Sequence, residues 1–454
     1  MRTKPKIKTK LIGSLLLLLF FQVGCSKTAP TLNEPHSYEP FSSAAHFEKD
    51  PSILMAGVYK EEITPPIGTP LGGYGRRRGR PSTGVHDPLY VRALALKDAT
   101  DILIFASCDL VAVDENLYQT VFEKVSQKMP LKNSQLLVFA THTHSGAGAI
   151  GKGFLAKLIM GRYDTKVFNM TVDRITDAIL QAVSKMKPAS VGLGESQLEG
   201  MIENRMIEGG PVDSELKVLR VEVEGKPLAF LVNLAAHPTV LNAQNFLFSA
   251  DFPGFLDAKV ESAYPDSVCL FANGAAGDQR VQGFAENQAF DRAKAIGDAI
   301  GKRVIGIVRS IPLKERGEVV TLQTDIHLPP VKIRRDFLVL PSWIGNRFLN
   351  RNVVMNVASL NDILFISIPG EMTGELGLEI KREAEQAKFK PLILGYANGY
   401  MGYIVPEKYY NSKTYEASVT FFGPKLDRYF KQAASSGVHF LEGVRDHSLR
   451  EARQ

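Results

Sequence analysis

Short apolar runs alternate with longer amphipathic segments along most of this chain. The runs are rich in Val, Ile and Leu, and several end abruptly in Gly, His, Asn or Glu. They cover residues 102–106, 136–140, 228–234, 268–272, 363–368 and 392–396. Continuous apolar runs of this length are typical of strands that are buried on both faces of a sheet.

Helical spacing appears between the apolar runs. Four segments show it, at 117–129, 167–186, 290–308 and 375–387. In the second segment five apolar residues fall on one face, namely Val172, Ile175, Ile179, Ala182 and Val183. A helix with such a face packs on a core. Because strands and helices alternate, we predict an α/β fold: a mixed β-sheet core with flanking helices, and an active site in loops at the carboxyl ends of strands.

Candidate metal ligands stand directly after several of these runs. His142 and His144 follow one run, His237 follows another, and Glu371 follows a third. Two imidazoles and a carboxylate form a common ligand set for zinc. Histidines at i and i+2 point the same way if the strand continues through them. Two alternatives stay open: His237 can be a structural histidine, and Glu371 can cap the N-terminus of the following helix.

The N-terminus has the organisation of an export signal. Five cations fall within the first ten residues, and an apolar stretch of thirteen residues follows at 11–23. This stretch is too short to span a membrane and suits a signal peptide. Val23-Gly24-Cys25 resembles the end of a bacterial lipobox. We predict a lipoprotein signal peptide at 1–24, lipidation of Cys25 and a membrane-anchored location in the bacterial cell envelope; an ordinary cleaved signal is the alternative.

Composition excludes several classes of protein for the rest of the chain. Lys and Arg number 54 against 48 Asp and Glu, but without the five N-terminal cations they number 49. This near neutrality argues against a nucleic-acid partner. Beyond Cys25 only Cys108 and Cys269 occur, which excludes a disulfide scaffold and a zinc site built on thiolates. We predict a flexible tether at 25–52 and a catalytic domain at 53–454.

Several short motifs follow one another between about residue 55 and residue 420. They are Gly57-Val58 with Ile63-Thr64-Pro65-Pro66, Leu71-Gly72-Gly73-Tyr74, Thr141-His142-Thr143-His144-Ser145-Gly146, Glu203-Asn204-Arg205, Gly277-Asp278, Pro369-Gly370-Glu371, and Tyr403 with Tyr415-Glu416. In this order they resemble the catalytic domain of the neutral (non-lysosomal) ceramidases. The paired histidines followed by Pro-Gly-Glu and the late tyrosines are the specific combination.

The resemblance implies a zinc-dependent amidohydrolase that cleaves the N-acyl amide bond of ceramide or a related N-acyl lipid with zinc-activated water. It implies four zinc ligands: His142, His237, Glu371 and Tyr403. It also implies that Arg205 and Tyr415 donate to the oxyanion and that His144 carries a proton to the departing amine. Gly73 is expected to let the backbone approach the substrate closely.

Two features depart from that family. Gln279 follows Gly277-Asp278, where ceramidases usually have a Ser-Pro pair whose serine sits near the metal. Only about forty residues follow Tyr415, so we expect no C-terminal immunoglobulin-like domain. The alternatives are therefore an inactive, surface-anchored lipid-binding protein on the same scaffold, or a zinc hydrolase of other amides or esters. The oligomeric state stays open.

Four arginines form a basic loop just after Gly73. They are Arg76, Arg77, Arg78 and Arg80. Such a loop can present cations to an anionic headgroup or phosphate, or it can simply be solvated. The sequence leaves both interpretations open.

Overall fold

The computed structural model describes residues 41, 52–285, 288–335, 338–339, 342–345 and 349–451. By internal contacts the chain divides into residues 1–36 and 37–454, and every described residue belongs to the second unit. The predicted signal peptide, the lipidation site Cys25 and nearly all of the predicted tether lie outside the described residues. None of the described helices combines the length and the apolar character that crossing a membrane requires.

Twenty-two strands occur in the described residues. In chain order they are β1 (Ser52–Ile53), β2 (Met55–Glu62), β3 (Gly84–Val85), β4 (Tyr90–Lys97), β5 (Ile102–Cys108), β6 (Leu136–Ala140), β7 (Lys187–Gln197), β8 (Ile202–Asn204), β9 (Glu215–Val223), β10 (Lys226–Leu234), β11 (Leu247–Phe248), β12 (Val268–Asn273), β13 (Gln279–Val281), β14 (Arg316–Gly317), β15 (Val319–His327), β16 (Arg334–Arg335), β17 (Leu338–Val339), β18 (Asn352–Leu360), β19 (Ile363–Ser367), β20 (Glu371–Met372), β21 (Lys390–Leu394) and β22 (Tyr403–Ile404). All six predicted strands are confirmed, as β5, β6, β10, β12, β19 and β21.

Nine α-helices occur in the same residues. They are α1 (Glu115–Ser126), α2 (Phe154–Met160), α3 (Thr165–Ser184), α4 (Asp251–Ala263), α5 (Ala289–Val308), α6 (Ser342–Gly345), α7 (Gly374–Gln386), α8 (Tyr415–Ser418) and α9 (Leu426–Glu451). The four predicted helices are confirmed as α1, α3, α5 and α7. Local capping supports two of their starts: Asp114 accepts a hydrogen bond from the Leu117 amide at α1, and Asp164 does so from the Lys166 amide at α3.

Twelve of the strands form two mixed sheets. The larger has the order β12-β10-β9-β7-β2-β4-β5-β6, and the smaller has the order β15-β18-β19-β21. Three neighbouring pairs are parallel, namely β5 with β6, β10 with β12, and β19 with β21. The mixed α/β architecture that the sequence predicts is thus confirmed, but it is divided over two sheets.

The inner faces of both sheets share one apolar core. Phe105 on β5 and Phe365 on β19 meet edge to face across it, with their ring centroids 4.9 Å apart. The larger sheet bends so that its end strand β12 approaches β5 and β6 at the other end, and Ser107 on β5 donates to the carbonyl of Phe271 on β12 at 2.6 Å. Helices cover the outer faces: α1 and α3 one half of the larger sheet, α4 and α5 the other half, α7 and α9 the smaller sheet.

The loops that leave the three parallel pairs carry the predicted site residues. Parallel neighbours end at the same edge of a sheet, so the loops that follow them begin close together. His142 and His144 follow β6, His237 follows β10, and Glu371 follows β19. The bend of the larger sheet and the packing of the smaller one bring these loops to one place.

Candidate metal centre and reaction site

His142 owes its orientation to a turn, not to an extended strand. Strand β6 ends at Ala140, and His142 has φ 70°, in the left-handed region. Its amide donates to the Leu110 carbonyl at 3.0 Å, and its ring Nδ1 donates to the Val111 carbonyl. The strand therefore does not continue through the two histidines, so its alternation does not align them. The rings nevertheless meet, with the Nε2 atoms of His142 and His144 3.2 Å apart.

His237 is held by the loop that follows β12. Its Nδ1 donates to the Ala276 carbonyl at 3.2 Å, and its amide donates to the Gln279 carbonyl at 3.0 Å. Its Nε2 lies 3.1 Å from Nε2 of His142. Burial, together with the positive charge of Arg205, lowers the pKa of His237 well below its ordinary value. The ring is thus neutral, with the Nε2 lone pair facing His142.

Glu371 completes this group from the segment that follows β19. It lies on β20, which pairs in parallel with β22 so that Glu371 stands beside Tyr403. Tyr400 donates to its Oε1, while Oε2 is buried without a hydrogen bond, 3.4 Å from Nε2 of His142 and 3.8 Å from Nε2 of His237. Burial raises the pKa of Glu371, but its interactions with His142 and the tyrosine hydroxyls outweigh this and lower the pKa overall.

Glu371 does not cap the N-terminus of helix α7. The carboxylate at the start of α7 is that of Asp278, whose Oδ1 accepts from the Gly374 amide at 2.7 Å. Asp278 also accepts from Asn204 at 2.8 Å and from Gln279 at 2.7 Å. Gln279 is itself fully buried, and its Oε1 accepts from the Asp213 amide at 3.1 Å. In place of the usual serine, this chain therefore has an amide that braces Asp278.

The donor set fits a metal ion. His142 and His237 each donate through Nδ1 to a carbonyl, which leaves Nε2 of both rings directed at the same point as the atom available to a metal. Two Nε2 lone pairs at 3.1 Å repel each other, and the buried Oε2 of Glu371 has no donor. Ligand atoms of a tetrahedral zinc ion with bonds of about 2.0–2.1 Å lie about 3.3 Å apart, close to the spacings here. A cation at this point satisfies all three groups.

His144 also belongs to this buried cluster. Ligand atoms of His142, His144 and His237 all lie within 4.8 Å of one another. Burial and the nearby positive charges lower the pKa of His144 well below its ordinary value. The position is compatible with a metal ligand or with a neutral base beside the metal, and Nδ1 of this ring is buried without a hydrogen bond.

Arg205 links the cluster to the late tyrosines. Its Nη2 donates to the Tyr403 hydroxyl at 2.9 Å and to the Gly277 carbonyl at 2.8 Å, and its Nε donates to Glu416 at 3.0 Å. Its Nη1 makes no hydrogen bond within the described part of the chain, so it can serve a ligand. Tyr415 stands at the rim: its ring centroid is 5.7 Å from that of Tyr403, and the residue is 65% exposed.

Gly73 and Arg77 hold His144 in place. A Cβ on Gly73 would lie 2.6 Å from the His144 ring, and Gly73 has φ 102°. The glycine therefore makes room for His144, and its predicted approach to substrate stays a prediction. Arg77 is buried and donates to the carbonyls of Gly72 at 2.9 Å, His144 at 2.5 Å and Asn242 at 3.2 Å. One arginine of the basic loop is thus structural, while Arg76, Arg78 and Arg80 are exposed.

Sequence reasoning missed two tyrosines at this site. Tyr400 orients Glu371 through the hydrogen bond described above. Tyr396 stacks on His142, with ring centroids 3.9 Å apart and an interplanar angle of 17°. It has φ 57°, and its hydroxyl is buried without a hydrogen bond. Tyr396 sits at the end of an apolar run and looks like a strand residue, so only the backbone conformation identifies it as part of the site.

Comparisons with known proteins identify the family of this chain. A family model described as neutral/alkaline non-lysosomal ceramidase, N-terminal, matches residues 54–299, more than half of the chain. The neutral ceramidase of Pseudomonas aeruginosa is 25% identical over 191 residues, which are 38% of this chain and only 28% of that protein. The neutral ceramidase of Mycobacterium tuberculosis is 22% identical over 455 residues, covering 77% of this chain and 71% of that protein.

The fold is similar to that of a solved structure. The crystal structure of neutral ceramidase from P. aeruginosa superposes with a TM-score of 0.77 at 20% identity, over 87% of this chain and 75% of that chain. This likeness shows a common fold. Since the family model covers more than half of its residues, the chain belongs to the neutral/alkaline non-lysosomal ceramidase family.

Proposed function

We propose that this protein is a zinc-dependent amidohydrolase that cleaves the N-acyl amide bond of ceramide or a related N-acyl lipid, with a place in sphingolipid metabolism. The observation that carries the proposal is the convergence of His142, His237 and Glu371 on one buried point beside the free Nη1 of Arg205. The similar proteins are named neutral ceramidases, which makes ceramide the first substrate to test.

The metal would be held by His142, His237 and Glu371, with the Tyr403 hydroxyl next to Glu371 as a fourth, weaker ligand. Zinc in such a site acts as a Lewis acid that makes water nucleophilic near neutral pH. Tyr400 fixes the Glu371 carboxylate through Oε1, so that Oε2 stays directed at the imidazoles. The ligands are thus oriented before any substrate arrives.

The other residues would act on the substrate. Water adds to the amide carbonyl carbon, and Nη1 of Arg205 and the Tyr415 hydroxyl donate to the oxygen as its negative charge develops. Neutral His144 accepts a proton from the attacking water and passes it to the amide nitrogen as the C–N bond breaks. The products are a fatty acid and a free amine. Glu416 keeps Arg205 in position throughout.

A substrate panel tests this proposal. N-acyl sphingoid bases, N-acyl amino acids and anionic amide lipids are incubated with the zinc-loaded protein, and fatty-acid release is measured. We expect release from at least one of them, its loss on chelation and its return with added zinc. His237→Ala should abolish release, whereas His327→Ala, which changes an exposed histidine on β15, should not. Equal release by metal-free protein contradicts the mechanism.

The same panel separates the second candidate function. Gln279 replaces the hydroxyl that ceramidases usually carry after Gly-Asp, and this favours an inactive lipid-binding scaffold or a hydrolase with another specificity. Binding of N-acyl lipids by zinc-loaded protein, with no release from any, would support the inactive scaffold. Release from esters or from other amides alone would support a zinc hydrolase of different specificity.

We also propose that the protein is exported and anchored to a membrane of the cell envelope through Cys25. The cationic start, the apolar stretch at 11–23 and Val23-Gly24-Cys25 support this. Mass spectrometry of the N-terminal peptide from membrane fractions should find a lipid-modified cysteine at its start. Cys25→Ala should release the protein from the membrane fraction. An unmodified cysteine within a longer N-terminal peptide would contradict the proposal.

A further inference from the structure

A surface next to the reaction site combines cations with exposed aliphatic side chains. Two segments build it, the loop at 66–82 and the residues at 157–162, and we call them together the docking face. No Asp or Glu occurs at 63–86 or at 140–163, whereas these two stretches carry seven Lys and Arg. An acid-free region of this size gives the surface around it a local positive potential.

The cations of the docking face are free to meet a ligand. Arg76, Arg78 and Lys157 are exposed, and no carboxylate in the described part of the chain pairs with any of them. Arg77, between the first two, is instead buried on backbone carbonyls. The loop is therefore anchored by one arginine and turns its neighbours outward, so their charges are uncompensated in the folded protein.

The aliphatic side chains of the docking face are unusually open to solvent. Ile67 is 65% exposed, Leu158 49% and Ile159 38%. Single exposed aliphatic residues are common on soluble proteins, but a group of them beside unpaired cations is a sign of a binding surface. Nucleic acid would supply negative charge for the cations but no hydrocarbon for the aliphatic side chains. An anionic lipid bilayer offers both, because phosphate headgroups stand directly above acyl chains.

The docking face is one packed unit that also touches the histidine cluster. Helix α2 packs against Gly75–Arg77, and a Cβ on Gly161 would lie 2.8 Å from the Pro70 ring. The Ala149 amide donates to the Met160 carbonyl at 2.7 Å. Arg77 then joins the loop to the His144 carbonyl. A surface that the docking face contacts is therefore brought close to the reaction site.

We propose that the docking face binds the surface of an anionic lipid bilayer, with Leu158 and Ile159 entering the headgroup region and Arg76, Arg78 and Lys157 contacting lipid phosphates. This goes beyond the proposed hydrolysis and does not depend on it. It is also separate from the Cys25 anchor, which would hold the protein near a membrane without orienting it. Docking by this face would present the histidine cluster to lipid substrates.

A fluorescent probe on the docking face tests the proposal in the full chain. Leu158→Cys is combined with Cys25→Ser and labelled with a polarity-sensitive fluorophore. Cys108 and Cys269 are buried, and burial raises their pKa values, so they stay unlabelled. The matched control carries the label at Lys302→Cys, an exposed position on α5. The vesicles are phosphatidylcholine with or without phosphatidylglycerol.

We expect a blue shift of the probe at position 158 with anionic vesicles only, and no shift at position 302. Neutralising three cations in Arg76→Gln, Arg78→Gln, Lys157→Gln should weaken vesicle binding reported at position 158 by about a hundredfold, since each cation contributes about fivefold near an anionic surface. The proposal is overturned if both probes respond alike, if neutral vesicles give the same shift, or if the triple variant binds equally well.

Discussion

Buried imidazoles that face each other without a shared proton are costly unless a cation lies between them. The Nδ1 atoms of His142 and His237 are both committed to carbonyls, and their Nε2 atoms stand 3.1 Å apart in a buried pocket next to a carboxylate. Each hydrogen bond favours one tautomer, and in these tautomers both Nε2 atoms are available to a metal ion. The carbonyls of Val111 and Ala276 therefore support the metal assignment as much as the histidines do, because they determine which ring nitrogen faces the centre.

The role of His144 can be separated from that of the ligands. If His144 is a proton carrier, His144→Ala should retain zinc while kcat for amide hydrolysis falls by about 10²–10⁴-fold. His237→Ala should lose both zinc and activity. Zinc content by elemental analysis and hydrolysis rate are measured on the same samples. Loss of zinc from His144→Ala would instead make His144 a ligand and would leave the catalytic base unassigned.

Arg77 should act through His144. Arg77→Met removes three donors from buried carbonyls, so we expect a lower melting temperature, reflecting a loss on the order of 2 kcal/mol, and a fall in kcat with little change in KM. Arg77→Lys should restore part of kcat because the ammonium can reach one of the carbonyls. Arg303→Met, at an exposed position on α5, is the matched control and should leave the melting temperature and kcat unchanged. A kcat that survives Arg77→Met would show that the contact only stabilises the loop.

For single residues, the sequence identifies which side chains belong to the candidate site but does not predict how they are oriented. His142, His237 and Glu371 can be singled out because each follows an apolar run, where short loops place side chains at a sheet edge. The left-handed turns at His142 and Tyr396 cannot be read from residue type, since neither is a glycine or an asparagine. Likewise, nothing in the run of three consecutive arginines distinguishes the buried Arg77 from its exposed neighbours Arg76 and Arg78.

Among the elements, the strands of the parallel pairs were the easiest to predict. The loops that follow these strands carry the site residues. Strands β6, β10, β12, β19 and β21 are mostly apolar and buried because both of their faces are covered. The antiparallel strands are harder to find, because charged residues interrupt them. On β9, Lys217 and Arg220 are charged, and Lys217 reaches the Pro391 carbonyl on the other sheet at 3.0 Å. Such contacts join the two sheets to each other, and the pattern of apolar residues does not reveal them.

Helix α4 carries a buried carboxyl that makes stability depend on pH. Burial, with the negative charges of Glu261 and Asp109, raises the pKa of Asp257 to about 7, although Arg92 lies 3.3 Å away and opposes the rise. A raised pKa means that the folded state holds the proton more tightly than the unfolded chain does. The contribution of Asp257 to stability is therefore full below about pH 4 and is lost as the pH rises through 7.

Asp257→Asn should reveal this dependence. The amide cannot ionise, so the variant should gain melting temperature relative to the unaltered protein at pH 8 and gain least at pH 5. Thermal unfolding followed by circular dichroism at both pH values gives the comparison. Asp298→Asn, on the outer surface pair with Lys294 on α5, is the control and should show no such pH dependence. If the variant and the unaltered protein differ by the same melting temperature at pH 5 and pH 8, ionisation of Asp257 does not affect the stability of the fold.

For the whole molecule, net charge conceals the features that matter. Beyond the first ten residues the chain is almost neutral, yet the two segments that form the docking face carry six cations and no acid. The buried centre beside that face is built from three imidazoles and a single carboxylate. The cationic surface and the histidine cluster are thus distinct parts of the molecule, and the loop anchored by Arg77 connects them.

The most direct test of the central claim measures metal and activity together. Purified full-length protein is analysed for zinc and for fatty-acid release from ceramide, before and after chelation and again after zinc is restored. We predict about one zinc per chain, no hydrolysis without it and full recovery with it, and neither zinc nor hydrolysis in His237→Ala. Hydrolysis that persists in chelated protein, or in His237→Ala, would contradict the assignment of a catalytic zinc to this histidine cluster.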